Sequence, residues 1–522
     1  MLAKLAGDTH AAAEHYRNAH TLLVTCKPLT IEPAEALLAA GLPEEWRKVY
    51  GGLPAETRSI RRLELLLARG LLAAGRRRST SRHGLLSVLR LAVGRHLGMH
   101  RIGYRQAFGL FSRNVWLWFA AWVTVGLSQF GLVMVVLNLY LLRLGYGTEF
   151  IGTVQGLQGL LVAAFALPAG ILGSKVGSRR VMISGLAMTS VGTALLPLAD
   201  VVTITPGARS VWLLAATCCI GLGFASYMAN TAPSLAGYTG TKDRGYAFSL
   251  MTALMPFAGF FGSIVGGFMP GLLARTFQMS LDDPGPYRFT LFVPAALYLL
   301  GMVFMIQTSD PETAVLSTQR KSKRNAKTVP LPLAIFAVIA LVSFSRTAGT
   351  WFPRMFFNVY LDEAFSAPPS LIGGIIGLSQ LGMVPLALFA PAIAPRIGRE
   401  RSVYGSLAAM ALATLPLALV PTIAAAGFGL VFLNMAFAFK DPTFKVYQQE
   451  IVPPPLRAPM QGAAMGSQGL GSSLMMFGGG FLVPVVGYTA VFLLSGAFSL
   501  CGFLLFALYF RVPRGEFAKT TT

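Results

Sequence analysis

The chain has 522 residues, 54% of them hydrophobic and only 12% charged, with a formal net charge of +22 and a mean hydropathy of +0.60. A soluble domain carries about 25% charged residues, so this composition excludes a soluble enzyme, a disulfide-built secreted scaffold and a disordered chain, and indicates many membrane crossings. The four cysteines, Cys26, Cys218, Cys219 and Cys501, have no metal-ligand spacing, and three sit in apolar runs where a thiol packs as a small hydrophobe.

Residues 1–113 form a basic region of their own and contain all 6 histidines. Asp8 to Leu23 reads as an amphipathic helix; with Gly7, Ala12, Tyr16 and Ala19 it resembles one helix of a tetratricopeptide repeat. A second helix is expected over Ala55 to Gly75. Arg76, Arg77, Arg78 and the basic residues through Arg113 then approach the bilayer, where each contributes about 1 kcal/mol of attraction to anionic lipid. Lipid accounts for this charge without nucleic acid. A bland reading is also open, in which Met99 is the true start and the preceding residues are an over-long reading of the gene or an accessory segment. No continuous apolar core of a secretory signal opens the chain.

Beyond this extension, twelve apolar stretches approach or exceed the ~20 residues a transmembrane helix needs. They run over 115–142, 149–173, 180–199, 210–234, 245–275, 288–308, 331–361, 370–394, 402–420, 422–440, 457–487 and 488–510. Span 1 opens with Trp116, Trp118 and Trp122, of which at least the first two read as an interfacial aromatic belt, and holds Gln129. Span 2 carries Gln155 and Gln158 on one face. The next loop reads Gly170-Ile-Leu172-Gly-Ser174-Lys175-Val-Gly177-Ser-Arg179-Arg180. Span 4 holds Asn230 and no basic residue. Span 5 contains Gly262, Ser263, Gly266 and Gly267, a small-residue run suited to close helix packing.

A basic linker, 309–330, precedes span 7. That span repeats Arg346, Thr350, Arg354 and Asn358 every four residues, a slowly drifting stripe on one face. Arg346 lies roughly 22 Å from the start of its span, inside a core of about 30 Å. Arg354 is nearer the boundary, where it can snorkel. The loop after span 8 reads Pro391-Ala-Ile-Ala-Pro395-Arg396-Ile-Gly398-Arg399-Glu-Arg401. Span 10 holds Asn434 and is expected to end at Lys440-Asp441-Pro442, as a local ion pair or part of a gate. Span 11 carries Gln461, Gln468, Gly479 and Gly480; a short tail, 512–522, follows span 12. Every acidic residue of the body falls in a loop or at a span end.

The two halves repeat. Ile151-Gly152, Gly156-Leu157 and Leu160 of span 2 recur as Ile372-Gly373, Gly377-Leu378 and Leu381 of span 8 at one constant offset, which Gly177 and Gly398 keep. Asn138 and Tyr140 match Asn358 and Tyr360; Gly266-Gly267-Phe268 matches Gly479-Gly480-Phe481. Lysine and arginine concentrate in the loops on the N-terminal side of the membrane. The positive-inside rule makes that side cytoplasmic and puts both termini there, in a plasma or inner membrane.

Two six-span halves of the same orientation, a charged central loop and the paired glycine–basic loops resemble the major facilitator superfamily. Its loop signature usually carries an acid where this chain has Ser174 and Pro395. The span 5 run resembles an element of drug–proton antiporters, with Ser263 in place of proline. The resemblance implies an all-α membrane protein of twelve helices in two six-helix pseudo-repeats, 114–308 and 331–511, working by alternating access. It also implies that spans 1, 4, 7 and 10 line a central cavity, with Arg346 facing it. On that basis Arg346, Thr350, Asn358, Gln129, Gln155, Asn230 and Asn434 are candidate substrate contacts. Gly170, Lys175, Gly177, Arg179, Arg180, Arg396, Gly398, Arg399 and Arg401 are candidate gating residues, and Gly262, Gly266, Gly267, Gly479 and Gly480 candidate packing residues. The expected cargo is a small amphipathic molecule, weakly acidic if Arg346 recognises it, moved outward by a monomer. The alternatives are sugar or nutrient uptake, or a non-transporting scaffold or sensor. Neither enzymatic chemistry, cofactor, metal nor nucleic acid is expected, and no phosphate-binding G-x-x-x-x-G-K-[ST] loop is present.

Overall fold

A computed structural model describes residues 111–202, 205–240, 244–310, 332–453 and 456–511. The amphipathic helices and lipid-binding cluster expected in the N-terminal extension lie outside the described residues, as do nearly all of the 309–330 linker and the tail.

Every described regular element is helical. The segments are apolar around most of their circumference, and a helix is the one open-chain structure that satisfies its own backbone in lipid. In chain order they are α1 (Arg113–Arg143), α2 (Thr148–Val176), α3 (Ser178–Val202), α4 (Pro206–Tyr238), α5 (Arg244–Thr276) and α6 (Gly285–Ile306). The second half comprises α7 (Leu333–Met355, continued by a short helix Phe357–Phe365), α8 (Pro369–Ile397), α9 (Arg399–Leu419) and α10 (Ile423–Glu450). A last helical run, Arg457–Tyr509, spans 53 residues. Straight, it would measure about 80 Å against a hydrocarbon core of about 30 Å. It breaks at Gly487 (φ 77°, ψ 166°) into α11 (457–486) and α12 (488–509), so twelve helices cross.

Two spans depart from expectation. Span 10 does not stop at Lys440: α10 continues through Pro442 to Glu450. Asp441 is therefore inside a membrane helix and not at its end. Trp118 is fully buried, stacked on Trp122 at 5.2 Å, and Trp122 stacks in turn on Tyr227. Of the three, only Trp116 is exposed as a belt residue would be.

The halves meet through glycine pairs that the repeat relates to each other. A Cβ on Gly152 would meet Gly480 Cα at 2.9 Å, and one on Gly373 would meet Gly267 Cα at 2.7 Å. Gly152 and Gly373 are repeat equivalents, as are Gly267 and Gly480. Hence α2 packs on α11 as α8 packs on α5, the signature of a pseudo-two-fold axis along the membrane normal. Elsewhere, Gly262 packs on Leu127 and Gly131 of α1, Gly266 on Leu132, and Gly479 on the Phe352 ring.

Gly177 and Gly398 take the same left-handed geometry (φ 106° and 100°) in equivalent turns, where any side chain would be strained. Arg179 follows the first turn and donates to the last carbonyls of α6, Ile306 O at 2.6 Å and Met305 O at 3.3 Å. Lys175, Arg180, Arg396 and Arg401 are exposed, Gly170 faces open space, and Arg399 begins α9.

The core is divided unevenly. One apolar cluster joins both halves on the face opposite these basic turns, from Val135 and Tyr140 to Phe356 and Phe492. Nearer the basic face each half has its own cluster, around Trp118 and Tyr298 in one and around Ile339 and Tyr447 in the other. Cross-half contacts reach inward about as far as Phe130–Gln380 and Ala163–Gly469, near the midpoints of their helices. The two halves are closed together on the far face.

Candidate substrate cavity

A cavity of about 270 Å³ lies where these contacts end, bounded by α1, α2, α4, α7 and α11. Its polar groups are Gln129, Gln155, Gln158, Gln468, Thr347 and Ser472. Its apolar walls include Phe130, Phe224, Trp351 and the four methionines Met134, Met355, Met465 and Met476. Among the described residues, no charged one lines it.

Local structure explains this composition. Gly126–Val133 of α1 is π-helical, and a wider turn of this kind re-aims side chains and recurs at functional sites. Gln129, Phe130 and Val133 of that stretch all face the cavity. Thr347, Trp351 and Met355 recur every four residues on α7 and present its cavity face. Methionine and tryptophan supply broad, adaptable apolar contact, while amides both donate and accept.

The amides are not equally committed. The Tyr298 hydroxyl donates to Gln129 Oε1 at 2.6 Å. Gln155 Nε2 donates to Asn138 Oδ1 at 2.8 Å. Among the described residues, neither Gln158 nor Gln468 has a protein hydrogen-bond partner. Gln155 also opens a chain that crosses the halves. Asn138 Nδ2 donates to Met355 O (2.6 Å) and Asn358 Oδ1 (3.1 Å), and Asn358 Nδ2 donates to Val135 O (2.9 Å) and Met134 O (3.1 Å). Asn138 and Asn358 are repeat equivalents, so this bond sits at the pseudo-two-fold axis. Farther from the cavity, toward the far face, Arg143 and Asp362 form a double hydrogen bond at 2.7 and 2.8 Å.

Of the sequence candidates, the structure brings Gln129 and Gln155 to the cavity and Asn358 to the network beneath its floor. The others lie elsewhere. Thr350 donates to Arg346 O within its own helix. Asn230 joins α4 to α2 by donating to Ala169 O at 3.1 Å, and Asn434 joins α10 to α8 by donating to Ser379 Oγ at 2.8 Å.

Arg346 is buried away from the cavity, its Nη1 3.6 Å from Asp441 Oδ1. Two expectations change with that ion pair. The deep positive charge is not alone, and Asp441 pairs with Arg346 and Lys445 and not with its neighbour Lys440. Arg354 does not snorkel: it is buried over the rings of Trp351 and Phe437. Sequence reasoning passed over Thr347, Trp351 and Met355, one residue along from the charged stripe. Their i, i+4, i+8 spacing was the available signal, outshone by the arginines.

The family model described as Major Facilitator Superfamily matches residues 117–458 and, in a second match, 339–521. No curated protein sequence matches the chain. Several solved structures share its fold. The nucleoside transporter NupG is 17% identical with a TM-score of 0.60, covering 76% of this chain and 100% of its own. The inward-open xylose transporter XylE from E. coli is 13% identical with a TM-score of 0.60, covering 77% and 96%. The human organic anion transporter MFSD10 is 15% identical with a TM-score of 0.51, covering 76% and 99%.

Proposed function

Because the chain belongs to the major facilitator superfamily of membrane transporters, we propose that it carries an uncharged amphipathic solute through the central cavity by alternating access. The observation that supports this most is the lining: four glutamines, a threonine and a serine against methionine and aromatic walls, with no charge. Such a surface binds a ligand with hydroxyl or amide groups on an apolar frame. It offers an anion no counter-charge. This moves the reading from the weakly acidic cargo of the sequence toward the nutrient or sugar-type alternative.

The arrangement supports a mechanism. The far face is sealed by the joint core, the Asn138–Asn358 bond and the Arg143–Asp362 pair, while each half keeps a separate core toward the basic face. Rocking about the glycine pairs would open the first face and close the second. The basic face is cytoplasmic in this reading, by the loop charges, and the membrane is a plasma or inner membrane.

Purified protein in liposomes, offered labelled neutral sugars, nucleosides, aromatic amphiphiles and organic anions, tests the cargo. Neutral solutes should be transported in preference to anions. Gln155→Leu and Gln468→Leu should each raise KM about ten-fold, the ~1.4 kcal/mol of one lost hydrogen bond. Preferential anion transport, unchanged in both variants, would refute the neutral-solute reading. Failure of a folded protein to move any of the panel would favour a scaffold or sensor.

A further inference from the structure

Behind the cavity wall, α7 and α10 enclose charges that the cavity does not use. Arg346, Arg354 and Lys440 are 2%, 4% and 0% exposed. They lie among aromatic rings: Arg346 over Phe444 at 5.2 Å, with Arg354 and Lys440 both over Phe437 at 4.9 and 5.0 Å. Ring faces attract cations, but two cations sharing one ring still repel each other.

Asp441 is the one carboxylate ion-paired to this group among the described residues. It is divided between Arg346 at 3.6 Å and Lys445, at the exposed rim, at 2.7 Å. Four buried donor atoms have no hydrogen-bond partner among the described residues: Arg346 Nε and Nη2, Arg354 Nε and Lys440 Nζ. Three buried cations against a shared carboxylate is an imbalance that membrane interiors resolve with a counter-charge.

We propose that the nest formed by Arg346, Arg354 and Lys440 binds a small monovalent anion, either an inorganic ion such as chloride or the carboxylate of a small solute. Trp351 connects this site to the cavity. Its side chain lines the cavity, while the Arg354 guanidinium lies 5.1 Å from its ring centre. The bound anion would tie α7 to α10 and neutralise the charge facing the cavity wall. The site is separate from the neutral-solute cavity, and its failure would leave that reading standing.

The full chain in detergent, in a Tris–HEPES buffer at constant ionic strength, is titrated with sodium chloride in one arm and sodium acetate in the other. Thermal unfolding is recorded at each concentration. A saturable rise of the midpoint is expected in at least one arm. Saturation with chloride alone identifies an inorganic ion, and saturation with acetate alone a carboxylate. Half-saturation should weaken at least ten-fold in Lys440→Met and in Arg354→Gln, and stay unchanged in Arg396→Gln on the exposed basic turn. The wild-type titration does not depend on the variants folding: no saturable effect in either arm overturns the proposal. So does a Lys440→Met protein that melts higher than wild type with its anion response intact, because the lysine would then be a neutral amine.

Discussion

The Arg143–Asp362 fork is the most exposed test of how the far face is held shut. Its side chains are 18% and 10% accessible, and its two bonds, 2.7 and 2.8 Å, run in parallel. Arg143 is further fixed by donating from Nε to Leu281 O at 3.0 Å. A fully exposed pair would contribute about 0–1 kcal/mol, and a charge-assisted bond in a buried setting about 1.5–3 kcal/mol. With partial exposure the fork falls near 2 kcal/mol. Under alternating access it exists only while the far face is closed. Asp362→Asn should therefore shift the closed-to-open ratio roughly 30-fold toward opening. Spin labels at exposed Ala208 and Ala424, at the far-face ends of α4 and α10, would report this as a longer distance population in double electron–electron resonance. Exchanging the charges, Arg143→Asp with Asp362→Arg, should restore part of the closed population. An unchanged distance distribution in Asp362→Asn, or an exchange that restores nothing, would show that the joint apolar core alone closes this face.

Other substitutions test the packing. A Cβ on Gly480 would meet Thr148 O at 2.5 Å, whereas one on Gly478 meets open space. Gly480→Val should thus cost about 1–3 kcal/mol in unfolding experiments, and equal losses in Gly478→Val would contradict the glycine-pair account. Asp441→Asn leaves Arg346 buried without its carboxylate and should destabilise by about 3–5 kcal/mol, part of which Arg346→Met should recover in the double variant. A single Asn variant that melts like wild type would show that the pair does not hold α7 to α10. Asn138→Ala strips partners from Gln155 and Asn358 together and should lower stability by about 1–3 kcal/mol. A neutral result in the same melt would mean that water replaces the lost amide.

The sequence disclosed the twelve crossings and the repeat because both rest on long-range regularities: runs of apolar residues and matched glycines and asparagines. Gly152, Gly267, Gly373 and Gly480 were readable as equivalents, and the structure adds that equivalents meet across the halves. Span 11 was separated from span 12 at Gly487, where the chain does turn. Asp441 was misplaced for a physical reason. Hydropathy ends a span at the first charged pair, but a charge can enter a membrane helix when a neighbouring helix brings its partner, here Arg346. The cavity was half legible. Deep amides stand out against an apolar background, but which of them bond to another helix and which face space depends on rotation about each helix axis. Asn230 and Asn434 are indistinguishable from Gln155 in one dimension.

Gly487 reverses the chain in a single residue, in a conformation that side chains with a Cβ rarely occupy. The helices it joins have different duties: α11 lines the cavity through Met465, Gln468 and Met476, and α12 packs along α7, with Ser499 against Gly349. A joint without slack works as a crank, so a displacement of the far end of α11 is delivered to α12 and not absorbed by a loop. The same joint leaves nothing to cut or extend. An epitope tag, a protease site or a fused domain for imaging has no loop to occupy there, and the turn after α1 or after α5 is the better point of entry.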